Sequence, residues 1–124
     1  GWKKSGSKYW YQNADGTYPK SQWQKIGGKW YHFDSKGYMQ TGWIKVSGKW
    51  YYLDKDTAVM VTGFNVIDGY TYYFDNGGIM KTGWLQISGK WYYFNSDGSM
   101  VVNKSKKIGT KTYNFDVNGI CLNP

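Results

Sequence analysis

The chain has 124 residues, 21% of them aromatic, and a formal net charge of +8 in which every base is Lys and every acid is Asp. No apolar run approaches the roughly 20 residues that a membrane-crossing helix needs, and a single cysteine, Cys121, rules out an intrachain disulfide. With no Glu or Arg, and with 13 Tyr, 8 Trp and 17 Gly, the composition argues for short strands and tight turns. The lysines suit either an acidic, phosphate-rich partner or a plain solvated surface. The lack of Arg argues against specific nucleic-acid readout, which draws on bidentate contacts.

Taken in order, the chain repeats itself. Leading aromatics stand at Trp2, Trp23, Trp43, Phe64 and Trp84, spaced by 21, 20, 21 and 20 residues. Self-similarity at such a period marks a repeat architecture. The repeats run over 1–22, 23–42, 43–63, 64–83, 84–103 and a degenerate 104–124, expected to form one repeat domain over 1–124. In the last, Lys104 falls where the leading Trp should be, and Thr112-Tyr113-Asn114-Phe115 replaces Trp-Tyr-Tyr-Phe. Atypical end units are expected, because one side of each must face water. The chain opens inside a repeat, at Gly1-Trp2, with no leader pattern, as a fragment of a longer protein is expected to.

Within each repeat, two runs of aromatic and β-branched residues flank Gly27-Gly28, Ser47-Gly48, Asp68-Gly69 or Ser88-Gly89. That is the signature of a β-hairpin with a two-residue loop. A second turn follows, at Ser35-Lys36-Gly37, Asn76-Gly77-Gly78 and Ser96-Asp97-Gly98, and then a lone methionine, Met39, Met60, Met80 or Met100. A single hairpin is marginal in water. The predicted fold is therefore all-β, a solenoid of stacked hairpins whose core is a line of contacts between repeats.

A two-residue turn at Ser47-Gly48 pairs Lys45 with Trp50 and Trp43 with Tyr52. Trp43 and Trp50 then share one face and Tyr51 takes the other. In a stack, the two Trp of one repeat should meet the first Tyr of the next; a three-residue turn would reverse that parity.

These residues resemble the choline-binding (cell-wall-binding) repeat family of Gram-positive surface proteins and phage lysins, with its pattern G-W-x5-G-x-W-Y-Y-F-x3-G-x-M-x-T-G-W. The copies at Gly42–Trp50 and Gly83–Trp91 match it nearly fully, and the resemblance covers essentially the whole chain. It implies a left-handed hairpin solenoid that holds choline in cages of two Trp from one repeat and a Tyr from the next. Carried onto this sequence, that gives Trp23, Trp30 and Tyr51; Trp43, Trp50 and Tyr72; and Trp84, Trp91 and Tyr113. Trp2, Tyr9 and Tyr31 form a variant cage, and Met39, Met60 and Met100 are further contacts. Phe64, Thr71 and Tyr92 are expected to make no good site, since two cage aromatics are altered. Other relatives of the repeat bind α-glucans.

A quaternary ammonium has no hydrogen-bond donor, so an aromatic box suits it without asking for acceptors. Choline-bearing teichoic or lipoteichoic acid of a Gram-positive cell wall is thus the expected partner, on a secreted, surface-bound protein. No nucleic acid, membrane span, metal or cofactor is expected, and dimerisation through the terminal repeats is a further expectation. Three other readings stay open: the periodic Trp and Tyr as plain packing, an α-glucan-binding module, and a structural or adhesion array. No catalytic constellation is visible. His32 stands at a second-Tyr position as a structural substitution, Cys121 has no activating neighbour, and Asp34, Asp54, Asp75 and Asp116 recur at turns, where Asp favours the geometry.

Overall fold

The structure, a computed structural model, describes residues 1–124. Twelve strands pair into six two-stranded antiparallel sheets: β1 (Trp2–Ser5) with β2 (Lys8–Tyr11), β3 (Gln22–Ile26) with β4 (Lys29–Phe33), β5 (Gly42–Val46) with β6 (Lys49–Leu53), β7 (Gly63–Ile67) with β8 (Tyr70–Phe74), β9 (Gly83–Ile87) with β10 (Lys90–Phe94), and β11 (Lys104–Ile108) with β12 (Lys111–Phe115). The fold is all-β, one hairpin per repeat, and the degenerate last repeat keeps its hairpin. No helix is long and apolar enough to cross a membrane. The chain forms two compact units, Gly1–Val61 and Thr62–Pro124, each a set of three hairpins.

The turns set the register. Both residues of Ser47-Gly48, Asp68-Gly69 and Ser88-Gly89 have positive φ, as does Gly27-Gly28. That is the two-residue turn whose twist matches the flanking strands. At the two end hairpins only the first turn residue, Gly6 or Gly109, is left-handed. The result is the register that a two-residue loop requires: Lys45 faces Trp50 and Trp43 faces Tyr52, with Gln86–Trp91 and Trp84–Tyr93 in the equivalent places.

After each second strand the chain turns on a carboxylate. Asp34 Oδ1 accepts the N–H groups of Lys36 and Tyr38 at 2.9 Å each, and Asp75 and Asp116 do the same for Gly77 and Ile79 and for Asn118 and Ile120. Asp54 caps Asp56 and Thr57. The recurrent aspartates are thus spent on turn geometry.

Beyond that turn the chain crosses back to the hairpin before. In the first unit Met39 N–H donates to Tyr9 O at 2.7 Å and Met60 N–H to Trp30 O at 3.0 Å. In the second, Met100 N–H donates to Thr71 O and Cys121 N–H to Trp91 O, each at 2.8 Å. These bonds tie successive hairpins together within each unit. The side chain that seals them is the last residue of the second strand: Phe33, Leu53, Phe74 and Phe94 are fully buried, and Phe115 nearly so. Each repeat from the second to the sixth thus contributes one buried Phe or Leu at the end of its second strand, joined in the core by smaller residues such as Ile44, Ile67 and Val101. The tryptophans lie outside it, and Trp2, Trp30 and Trp50 each keep about 40% of their surface exposed.

Candidate functional site

Strand parity places the leading aromatic and the residue seven positions on along the same face of a hairpin. They are diagonal neighbours across the two strands, within reach of large side chains. In the second unit Trp84 and Trp91 meet at 6.2 Å between centroids with planes at 85°. Trp43 and Trp50 repeat the arrangement in the first unit, at 6.2 Å and 84°. Each leading ring is braced edge-on by its cross-strand partner: Trp84 by Tyr93 and Trp43 by Tyr52, both at 5.1 Å, and Trp2 by Tyr11 at 5.2 Å. His32 braces Trp23 in the same way at 4.8 Å, and its Nδ1 is hydrogen-bonded to Gln40 Oε1. His32 thus does the job that Tyr does elsewhere.

The first Tyr of the following hairpin comes from the opposite side. Tyr113 meets Trp84 at 4.8 Å and 72°, Tyr31 meets Trp2 at 5.0 Å and 72°, and Tyr51 meets Trp23 at 4.9 Å and 62°. Behind them Trp84 stacks on Phe115 at 5.9 Å and Trp2 lies tilted over Phe33 at 6.0 Å. The buried Phe of the next repeat therefore fixes the indole from below and leaves the rest of the ring to form a wall.

Rings from two successive hairpins enclose one such space in the second unit. Trp84, Trp91 and Tyr113 line a cavity of about 350 Å³ together with Pro124. With Trp91 and Tyr113 both close to perpendicular to Trp84, the rings present faces and edges from different directions. Lys111 Nζ already stands 5.0 Å from the Tyr113 centroid, and Lys45 Nζ is 5.8 Å from that of Trp50. Cations thus already sit on rings of this kind.

Of the other residues singled out from the sequence, Trp30 stands on β4 two residues before His32, the brace of Trp23, and Tyr9 carries Lys4 Nζ at 5.4 Å from its centroid. Tyr72 lies on β8 of the second unit, where burial pushes its hydroxyl above the ordinary Tyr range. Phe64 meets Tyr92 at 5.3 Å and 62°, but Thr71 supplies no third ring. Met39 is bonded to the Tyr9 strand and Met60 to the Trp30 strand. Met100 is bonded to Thr71, so it belongs with the set that lacks a ring, and its thioether lies against the backbone of Gly119.

Sequence reasoning missed two residues. Cys121 takes beneath Trp91 the place that Met39 and Met60 take beneath Tyr9 and Trp30, and it is buried with Val101 and Phe115. Its offset of 30 residues from Trp91 equals that of Met39 from Tyr9 and of Met60 from Trp30. Pro124 closes one side of the cavity, and no repeat pattern marked it.

Asp54 is held below the usual carboxylate range by the Thr57 and Asp56 N–H groups, and Asp15 and Asp97 by hydroxyl and N–H donors of Thr17 and Ser99. No group of three or more His, Cys, Asp or Glu side chains is placed to hold a metal ion.

Comparison with known proteins agrees with this geometry. A choline-binding repeat model matches residues 20–62 and 61–105. The lysin of Pneumococcus phage Dp-1 is 41% identical over 39 residues, which is 30% of this chain and 13% of that protein. The structure of CbpJ from Streptococcus pneumoniae TIGR4 is similar with a TM-score of 0.92 and 33% identity, covering 98% of this chain and 41% of that one. The multimodular pneumococcal cell wall endolysin from phage Cp-1, solved in complex with choline, gives a TM-score of 0.69 and 40% identity over all of this chain and 37% of its own. The chain thus spans less than half the length of these relatives. With its repeats matched over residues 20–105 and its hairpins aligned throughout, the chain belongs to the choline-binding repeat family.

Proposed function

We propose that this chain is a non-catalytic anchoring module that holds choline groups of teichoic or lipoteichoic acid in aromatic cages between successive hairpins. The observation that carries the reading is the cavity walled by Trp84, Trp91 and Tyr113. Three rings around one space attract a trimethylammonium head and cover its methyl groups. The choline held by the Cp-1 endolysin supports the same ligand here.

Each ring contributes roughly 0.5–2 kcal/mol, so one cage binds with about millimolar affinity. The same reading assigns two more cages to the first unit, Trp23, Trp30 and Tyr51 with Met60, and Trp2, Tyr9 and Tyr31 with Met39, supported by the Trp23–Tyr51 and Trp2–Tyr31 ring contacts and by the backbone ties of the two methionines. Weak sites become strong together when the ligand is a polymer that displays its groups at intervals, through effective concentration. Lys25, Lys29, Lys45, Lys49 and Lys90 stand on the same hairpins and suit the phosphates of such a polymer. The place of work is the bacterial cell wall, outside the cell. Exposed Val117 and Leu122 in the last repeat offer an apolar contact for dimerisation through that end.

The test is retention on a choline-bearing or diethylaminoethyl matrix. The protein should stay bound in buffer and leave with free choline. Passage through that matrix combined with retention on dextran would replace choline by an α-glucan.

A further inference from the structure

The first hairpin carries a second aromatic cavity of different chemistry. It measures about 270 Å³ and is lined by Ser5, Trp10, Tyr18, Lys36 and Tyr38. Ser5 and Trp10 lie on the face of the β1–β2 hairpin opposite Trp2, because Trp10 pairs with Lys3 and Ser5 with Lys8. Trp10 meets Tyr18 edge-on at 5.4 Å and 68°. Tyr18 is held against the Asp34 turn: Gly37 has φ +91°, and a Cβ there would lie 2.6 Å from Tyr18 Cε2. The adjacent Pro19 is fully buried. The aromatic walls are therefore built into the fold.

The charges decide the ligand. Lys20 Nζ sits 4.8 Å from the Tyr18 centroid and Lys8 Nζ 5.1 Å from that of Tyr38, so two ammonium groups stand beside this cavity's walls. Lys36 adds a third positive charge at the rim. The nearest turn carboxylate, Asp34, directs Oδ1 to the backbone N–H groups of Lys36 and Tyr38. A cation is repelled from this place and an anion drawn to it. The aromatic surface in turn calls for a ligand with an apolar face. A pyranose ring stacks its C–H face on an indole, turns its hydroxyls to groups such as Ser5, and can carry a phosphate to the lysines.

We propose that this cavity binds a sugar phosphate, with the sugar ring on Trp10 between Tyr18 and Tyr38 and the phosphate beside Lys36. It works independently of the cages that face the other way.

The test uses the ¹⁵N-labelled 124-residue protein, titrated with α-D-glucose 1-phosphate both with and without saturating choline. The Trp10 indole N–H and the Ser5 and Lys36 amides should shift saturably in both series. Glucose or inorganic phosphate at the same concentration should shift them less. Lys36→Gln, a surface change, should weaken the apparent affinity by about two- to fivefold. Trp10→Ala should remove the saturable response while the Trp84 and Trp91 indole signals keep their positions. Equal responses to inorganic phosphate and to the sugar phosphate, Trp10 signals that move with choline alone, or an unchanged affinity in Lys36→Gln would each overturn the proposal.

Discussion

Thr71 is the residue at which one repeat lacks a wall, so replacing it tests the cage from the side of gain. Thr71 pairs with Val66 across the fourth hairpin, as Trp91 pairs with Gln86 and Trp50 with Lys45. Val66 is 72% exposed, so an indole at position 71 would project into open space. The other two walls already stand: Phe64 meets Tyr92 at 5.3 Å and 62°, against 4.8 Å and 72° for Trp84 and Tyr113. The tie from Met100 to Thr71 is through backbone atoms and survives any side chain there. Thr71→Trp should therefore cost little stability, within about 0.5 kcal/mol. The added ring is worth about 0.5–2 kcal/mol to a bound quaternary ammonium, or roughly 2- to 30-fold in affinity at this pair. In a choline titration followed by ¹H–¹⁵N correlation spectra, one new indole signal should appear and shift saturably, while the existing ones keep their behaviour. If the new indole stays still while Trp84 and Trp91 respond, three rings in this arrangement are not sufficient to hold a quaternary ammonium.

Three further predictions follow from the same geometry. Trp91→Ala removes one wall of the Trp84 cage and should weaken choline there by roughly 2- to 30-fold, leaving the Trp23 indole response as it was; a uniform loss at all sites in the titration would speak for unfolding instead. Phe94→Ala empties a fully buried position and should cost about 3–5 kcal/mol, read from chemical denaturation, a large share of the total for a domain this size; a loss under 1 kcal/mol would contradict the line of Phe and Leu residues as the core. The turn carboxylates Asp15, Asp54 and Asp97 titrate lower in the folded chain than in the unfolded one. The stability they contribute is present above the ordinary carboxylate range and is lost as pH falls through their depressed values. Melting temperature should hold between about pH 5 and 7 and drop below about pH 4; a rise on acidification would reverse the sign of the argument.

Much of this was legible in the sequence because two short-range rules fix it. The Gly-containing pairs at Ser47-Gly48 and Ser88-Gly89 specify a two-residue loop, and that loop length specifies which side chains share a face. The Trp43–Trp50 and Trp84–Trp91 pairs follow from parity alone. The core was harder to see. Phe33, Leu53, Phe74 and Phe94 look like the tail of a Trp-Tyr-Tyr run, and the larger Trp rings invite assignment to the interior. Their burial depends on where the chain turns back at Met39, Met60, Met80 and Met100, each paired to the preceding Phe or Leu by one isolated bridge. Cys121 was hidden by its residue type: it completes the same bridge with Phe115, but nothing in a lone cysteine announces the place of a methionine. Tyr18 shows the converse. Against Gly37 it occupies the kind of place that Met80 and Met100 take against Gly98 and Gly119, and only coordinates reveal that shared packing.

The most direct measurement is a set of nuclear Overhauser contacts between the N-methyl protons of bound choline and the ring protons of the ¹³C-labelled protein. One bound choline should give cross-peaks to Trp84, Trp91 and Tyr113 together, and none to Trp10. Contacts to a single ring, or to lysine-flanked Trp10 in place of these three, would contradict that cage.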